Sequence, residues 1–315
     1  MSIAMSDWSA LEYIKAAIFY FSYFVPLAAA FFAIAAVRAS GLTRALAAAG
    51  FAAASLFIYA RFVEPRILLT VEHETMLARC FADAGEVRIA IFSDMHVGMF
   101  KNAMPIARIA RRADATGADL VLIPGDFVYF LTPQNYAQTF AAFGAMATPV
   151  YAVLGNHDLG LPGPDVRTSL ADALSEIGVV MIDDLSIAVQ TQNAHFQLIG
   201  LSDKWGRNQH LELLADEFAT PKIALTHNPG TVLELTPMQR ADLMVSGHTH
   251  GGQVFIPGLT CKITSFACAV TRYGLADVRN GRVFVTSGTG MVGLPIRFNV
   301  PPRIDVLTVK WRACE

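Results

Sequence analysis

The chain has 315 residues, a formal charge of −2, 54% hydrophobic residues and a mean hydropathy of +0.43. That length carries one large domain or two smaller ones with a full-sized core. The near-neutral charge removes the basic face on which nucleic-acid binding depends, so no nucleic-acid partner is expected.

The excess of apolar residues is local. Residues 16–37 are 22 positions without a charge, enough to cross the hydrocarbon core of a bilayer. Residues 45–60 form a second apolar run of 16, bounded by Arg44 and Arg61, which would snorkel to the interfaces. Two helices joined by the short 38–44 link read as a membrane hairpin occupying 1–62, with Pro26 kinking the first span. The alternatives are a cleaved signal peptide for the first run and a buried core helix for the second. A signal peptide opens with a basic segment, whereas Asp7 and Glu12 precede this run. Lys15, Arg61, Arg66 and Arg79 flank the hairpin on one side, against two arginines in the link. By the positive-inside rule this count favours the inner membrane with the following domain in the cytoplasm. Residues 63–85, with Pro65 and mixed polarity, read as a linker to a domain at 86–315. Cys80, Cys261, Cys268 and Cys314 have neither CxxC nor zinc-finger spacing. They read as small hydrophobic side chains, with a Cys261–Cys268 disulfide left open.

From residue 86 onward short apolar runs alternate with polar turns and amphipathic stretches. Strands are predicted at 87–92, 119–123, 149–154, 195–201, 222–226 and 242–246, and helices at 103–116 and 134–147; residues 281–310 look richer in strand. This alternation predicts an α/β domain with mostly buried strands.

Five of these strands end in a polar cluster. FSDMHVG supplies Asp94 and His96, PGDFV supplies Asp126, and LGNHDLG supplies Asn156, His157 and Asp158. LTHNPG supplies His227, and VSGHTHGGQV supplies His248 and His250 between glycines 247, 251 and 252. In extended backbone, residues i and i+2 point the same way, so each DxH or HTH pair is expected to present two ligands to one side. Asp94, Asp126 and Asn156 are 32 and 30 residues apart, about one strand-helix unit, which predicts them side by side at the carboxyl edge of one sheet. Five of the eight histidines fall in these turns, while His73, His195 and His210 do not. Carboxylates, a carboxamide oxygen and imidazoles without a thiolate suit Mn, Fe, Zn, Co or Ni. A carboxylate can bridge two ions about 3.5–4 Å apart, the arrangement that serves phosphoester hydrolysis. Taken singly each cluster also reads as a helix cap or a turn; five of them after five strands point to one site.

The order DxH, GD, GNHD, H and GHTHGGQ resembles the calcineurin-like metallophosphoesterase superfamily, and in particular its membrane-anchored bacterial branch, over residues 86–312. The resemblance implies a two-sheet sandwich flanked by helices. It implies Asp94, His96 and His250 on one divalent ion, Asn156, His227 and His248 on a second, and Asp126 bridging them. His157 would contact the phosphate or protonate the leaving oxygen, and its near-neutral reference pKa suits general-acid work. Asp158 would orient His157 or cap a helix. The nucleophile implied is a metal-bridging hydroxide, so no serine or cysteine is needed. Substrates implied are phosphomonoesters, phosphodiesters or pyrophosphates. The membrane hairpin points to a lipid or lipid-linked nucleotide of the UDP-2,3-diacylglucosamine type, which a cytoplasmic site would suit. One group of pyrophosphatases for that substrate carries GNRD where this chain has GNHD, which argues against that group alone. The branch also often closes with PPE where this chain has Pro301-Pro302-Arg303. Residues 201–210, with Asp203, Lys204, Trp205 and Arg207, form a loop in reach of the site, and 287–298 offer an apolar rim; a solvated loop and ordinary packing are the alternatives. A different class remains: a membrane-tethered binding or regulatory protein that has lost turnover. Such loss removes ligands, and all eight residues of the pattern are in place.

Overall fold

The computed structural model describes residues 8–100, 104–131, 136–206, 209–215, 219–279 and 281–315. The first apolar run folds as α1 (Ala10–Phe21) and α2 (Val25–Arg38), the second as α3 (Gly41–Ile58). Ser9 caps α1: its hydroxyl accepts the Leu11 N–H at 3.1 Å, and the Glu12 carboxylate accepts the Ser9 N–H at 3.2 Å. Pro26 lies in the first turn of α2, where a proline forfeits no hydrogen bond, and a 3₁₀ turn at Ser22–Phe24 interrupts the helix just before it. At the expected kink the helix tightens into this 3₁₀ turn within the continuous segment Ala10–Arg38. With their connecting turns, Ala10–Arg38 and Gly41–Arg66 are 29 and 26 residues long and apolar enough to cross a bilayer. α2 and α3 pack together and leave large apolar side chains outside, Leu27 being 68% and Val37 79% exposed.

α1 lies against the rest of the protein. Phe19 is buried and stacks on Phe100 with ring centroids 5.4 Å apart, and the Lys15 ammonium donates to the Tyr129 hydroxyl at 3.1 Å. Arg61 does not snorkel as expected. Its guanidinium lies over Phe19, Phe62 and Tyr23 at 4.5, 4.8 and 5.3 Å, and its Nε donates to Ser22 Oγ at 3.0 Å. This aromatic cage supplies the partners that an interface otherwise gives a cation.

The strands in chain order are β1 (Leu69–Phe81), β2 (Gly85–Ile91), β3 (Val97–Gly98), β4 (Leu120–Pro124), β5 (Val128–Tyr129), β6 (Val150–Val153), β7 (Val180–Met181), β8 (Ser186–Gln190), β9 (His195–Leu201), β10 (Lys222–Thr226), β11 (Leu243–Ser246), β12 (Gly274–Val278), β13 (Gly281–Val285) and β14 (Arg303–Ala313). They form two six-stranded sheets, ordered β1-β14-β2-β4-β6-β7 and β12-β13-β11-β10-β9-β8, with β3 and β5 as a separate short ladder. The apolar faces meet: Ile89, Leu122 and Val153 of one sheet share a buried cluster with Leu198, Leu225 and Val245 of the other. Helices α4 (Ile106–Asp114), α5 (Tyr136–Gly144) and α6 (Arg167–Glu176) cover the outer face of the first sheet through Ile109, Phe140 and Leu170. This is the expected α/β sandwich flanked by helices. α4 and α5 fall within the two expected helices, whose residues 103, 134 and 135 lie outside the described residues. β2, β4 and β6 run parallel in one sheet, as do β9, β10, β11 and β13 in the other, so their carboxyl ends collect at common edges.

Two further expectations need correction. The stretch read as a linker contains β1, which pairs in parallel with β14 at the edge of the first sheet. The cysteines are not apolar filler: Cys80 is bonded to Cys314 and Cys261 to Cys268. Cys80 and Cys314 are 234 residues apart in sequence and become neighbours only because β1 and β14 pair.

Candidate metal centre

The carboxyl ends of β2, β4 and β6 deliver Asp94 and His96, Asp126, and Asn156 with His157; β10 and β11 deliver His227, then His248 and His250. The backbone at these residues is not the extended form expected from the i, i+2 spacing. Asp94, His96, Asp126, His248 and His250 all have positive φ, at 53°, 47°, 58°, 70° and 50°. Left-handed backbone costs a residue with a Cβ about 1–2 kcal/mol, so five together mark a constellation imposed by the surrounding fold. Backbone bonds hold it: the Asp94 N–H donates to Gly125 O and the His96 N–H to Asp126 O, each at 3.1 Å.

These turns gather the side chains into two adjacent buried groups. In the first, His250 Nε2 is 2.8 Å from His96 Nε2 and 3.4 Å from Asp94 Oδ1. In the second, His227 Nε2 is 3.1 Å from both Asp126 Oδ2 and His248 Nδ1. Asp126 Oδ2 is also 3.5 Å from His96 Nε2, so this carboxylate reaches both groups. Within each set, Asp94-His96-His250, Asp126-His227-His248 and His96-Asp126-His157, the ligand-type atoms lie within 4.8 Å of one another. The HTH pair therefore splits, one imidazole to each group.

A divalent ion suits these donors. Asn156 Nδ2 donates to Leu161 O at 2.6 Å, which leaves its buried Oδ1 without a hydrogen-bond partner. His227 donates its Nδ1 proton to Pro124 O at 2.7 Å, which leaves Nε2 as the nitrogen facing the group. Burial pushes the Asp94 carboxyl up to about 7 and the His248 imidazole down to about 3. Burial likewise holds His96 and His250 well below the ordinary histidine range. Burial also opposes charge on Asp126 and His227, but their mutual attraction outweighs it; the carboxyl is held well below its usual range and the imidazole well above. The neutral imidazoles of His96, His248 and His250, with crowded lone pairs beside buried carboxylates, suit a cation between them. Addition of Mn²⁺ to chelator-treated protein is expected to raise the melting temperature by on the order of 5 °C, reversed by excess chelator in a thermal scan.

Of the glycines flanking HTH, only Gly247 lies against a candidate ligand. A Cβ there would overlap Ser93 Oγ and stand 2.7 Å from Asp94 Oδ2, whereas at Gly251 and Gly252 it would meet Val300 and Thr260. Gly247→Ala is expected to weaken Mn²⁺ affinity more than tenfold, with a far-UV spectrum like wild type. Calorimetric titration checks it.

Several contributors were missed in the sequence or given another role. Asp158 neither orients His157 nor caps a helix: its carboxylate accepts N–H groups of Gly155, Asp126 and Val128 at 2.9–3.0 Å and of Phe127 at 3.3 Å. It braces the turn that carries Asp126. Burial and the Asp126 charge push its carboxyl up to about 8, against the N–H donors that favour the ionised form. Arg297 is fully buried and donates to Gly290 O, Val300 O and Ser287 O at 2.8, 3.0 and 3.0 Å, clamping the 287–300 loop beneath Asp94. A lone arginine inside the apolar LPIRF is the signal that would have found it. His157 donates its backbone N–H to Asp126 Oδ1 at 2.9 Å and its ring Nδ1 to Pro162 O at 3.2 Å. Its ring packs against those of His96 and Tyr129, each at 4.9 Å. In the 201–210 loop Trp205 meets the His248 ring edge-on at 4.6 Å, while Lys204 is paired with Glu234 at 2.7 Å and Arg207 lies outside the described residues. A cavity of 590 Å³ opens over Asp126, Asn156, His157, His248 and His250, and Val292, Leu294 and Ile296 line it as the expected apolar rim.

A two-sheet sandwich whose strand ends converge on buried carboxylates and imidazoles defines a metal-dependent phosphoester hydrolase. Residues 87–252 match the calcineurin-like phosphoesterase family, and the chain belongs to it. It is 27% identical over 262 residues to phosphodiesterase YaeI of Escherichia coli, an alignment covering 82% of this chain and 95% of that protein. It is 28% identical over 291 residues to metallophosphoesterase YkuE of Bacillus subtilis, covering 86% and 95%. It is 24% identical over 320 residues to UDP-2,3-diacylglucosamine pyrophosphatase LpxG of Chlamydia muridarum, covering 85% and 97%.

Proposed function

We propose that the chain is a membrane-anchored two-metal phosphoesterase that cuts a phosphodiester or pyrophosphate in a membrane lipid or lipid-linked substrate. The observation that carries this reading is the docking of α1 on the candidate centre, through Lys15 on Tyr129 and Tyr129 against His157. A site built onto the root of an apolar hairpin works at the bilayer surface. Asp94, His96 and His250 would hold one ion, Asn156, His227 and His248 the other, and Asp126 both. When bound, such ions supply water activated near neutral pH and fixed positive charge opposite the phosphate oxygens. The chain's own part is to hold the ligands, exclude bulk water and present His157 to the leaving oxygen.

The cysteines bear on the side of the membrane. Disulfides persist in oxidising compartments, and all four cysteines are paired, so the reading favours a domain outside the cytoplasm over the arginine count. Of the charges in that count, Lys15 is paired with Glu12 at 3.0 Å and Arg61 is buried. A UDP-linked donor was favoured by a cytoplasmic site, so the same argument favours a lipid phosphodiester over the substrate named for the Chlamydia relative.

The test is turnover of bis(p-nitrophenyl) phosphate by detergent-purified full-length protein, with Mn²⁺ and with chelator, beside Asn156→Ala. Metal-dependent activity lost in the variant supports the hydrolase; metal binding without turnover of any diester, monoester or pyrophosphate leaves the tethered binding protein. A C-terminal alkaline phosphatase fusion that is inactive in cells, where a fluorescent-protein fusion glows, returns the domain to the cytoplasm.

A further inference from the structure

We infer that the cavity over the candidate centre is an acyl-chain site, and that its outer wall dips into the leaflet from which the hairpin emerges. This rests on the phosphoesterase reading of the same site and adds what holds the substrate's lipid part and from where it arrives. One wall is the segment around α7 (Thr260–Ile263), with Ile256, Leu259, Ile263 and Phe266 lining the cavity. These side chains are also turned outward: Ile263 is 72% and Phe266 54% exposed. Their exposure is enforced. Thr260 Oγ1 donates to Val254 O and accepts the Ile256 N–H, both at 2.8 Å, and the Cys261–Cys268 disulfide closes the segment, so it cannot fold its apolar side inward.

The position of this wall names the occupant. At one end the chain is bonded to the segment that grips the second apolar helix: the Phe255 N–H donates to Phe298 O at 2.8 Å, and the residues on either side of Phe298 bind the hairpin, Arg297 N–H to Ala60 O at 2.9 Å and Asn299 N–H to Glu64 at 3.0 Å. At the other end Val292, a lining residue, packs against the Phe19, Phe100 and Tyr129 cluster to which α1 docks. The cavity thus lies between the two points where the apolar helices join the domain, with an exposed apolar rim beside them. A free nucleotide or sugar phosphate gains nothing from such walls. A phospholipid acyl chain does, passing sideways from the bilayer along Leu259 and Ile263 while its phosphate comes to rest over Asp126 and His157.

Two measurements on the full-length protein test this. The first is kcat/KM with Mn²⁺ for diacyl phosphodiesters of four, six and eight carbons per chain. The expected rise is about tenfold for every two methylenes buried, flattening in Leu259→Glu and Ile263→Glu. The second needs no turnover: Trp205 emission, isolated as the difference from Trp205→Phe, in nanodiscs of phosphatidylglycerol brominated at mid-chain. Quenching that disappears in Leu259→Glu supports the acyl site even where no diester is hydrolysed, an outcome that sinks only the phosphoesterase reading. Unquenched Trp205 overturns the inference, as does turnover of the short diesters that is independent of chain length.

Discussion

Replacing Asp126 by Asn is expected to lower metal-dependent phosphodiester turnover by about a thousandfold while leaving the chain folded. Asn has nearly the shape of Asp and tolerates the left-handed backbone at φ 58°, so the turn has no steric reason to move. What changes is charge. Oδ2 of Asp126 lies 3.1 Å from His227 Nε2 and 3.5 Å from His96 Nε2, reaching both groups, while Oδ1 accepts the His157 N–H at 2.9 Å. An amide keeps one acceptor and puts an N–H₂ where the other oxygen was. That donor would face imidazole nitrogens and a cation, so the variant loses the shared ligand and adds repulsion. The loss is expected mainly in metal affinity and kcat, measured by calorimetric Mn²⁺ titration and by rates at saturating metal. Asp158→Asn is the contrasting variant. Among the described residues its carboxylate bonds only backbone N–H groups, so its loss should appear in the melting temperature before it appears in the rate at low temperature. A rate for Asp126→Asn within tenfold of wild type at saturating Mn²⁺ would remove the shared-carboxylate arrangement from the account.

Much of this was legible because buried parallel strands write themselves as short apolar runs. β9 and β10 occupy the residues predicted for them, and each site residue follows a strand end. β1 was not legible. As an edge strand it pairs only with β14 and alternates buried and exposed positions, so LTVEHETMLARCF carries no apolar run and read as a linker. The left-handed turns were hidden for a different reason. Asp and His tolerate positive φ better than most residues but adopt it in only a small fraction of cases; here the conformation is imposed by partners such as Gly125 O and Asp126 O, which only the assembled sheet supplies. The Cys80–Cys314 pair depends on a register between strands at opposite ends of the chain, which spacing alone cannot contain. Arg61 and Lys15 were counted as flanking charges because their aromatic and phenolic partners come from elsewhere in the fold.

The role of His157 turns on the leaving group. If its imidazole protonates the departing oxygen, its removal matters in proportion to how badly that oxygen needs a proton. An alkyl alkoxide cannot leave without one; a p-nitrophenolate can. His157→Ala is therefore expected to cut kcat for a dialkyl phosphodiester by about a hundred- to a thousandfold and for bis(p-nitrophenyl) phosphate by less than tenfold. The geometry supports the asymmetry. Nδ1 is committed to Pro162 O at 3.2 Å, so Nε2 is the ring's remaining working nitrogen, and the backbone N–H is tied to Asp126, so the ring stays with the site. Burial holds the imidazole below its ordinary range, with the Asp126 charge acting against it; the negative charge of an incoming phosphate acts in the same direction as Asp126 and favours the protonated, donating form. A residue that merely binds the phosphate would behave otherwise: its loss would raise KM for both substrates alike and leave the ratio of their kcat values where it was. Equal losses on the two diesters would therefore reassign His157 to phosphate binding, and the leaving oxygen would have to draw its proton from water in the cavity.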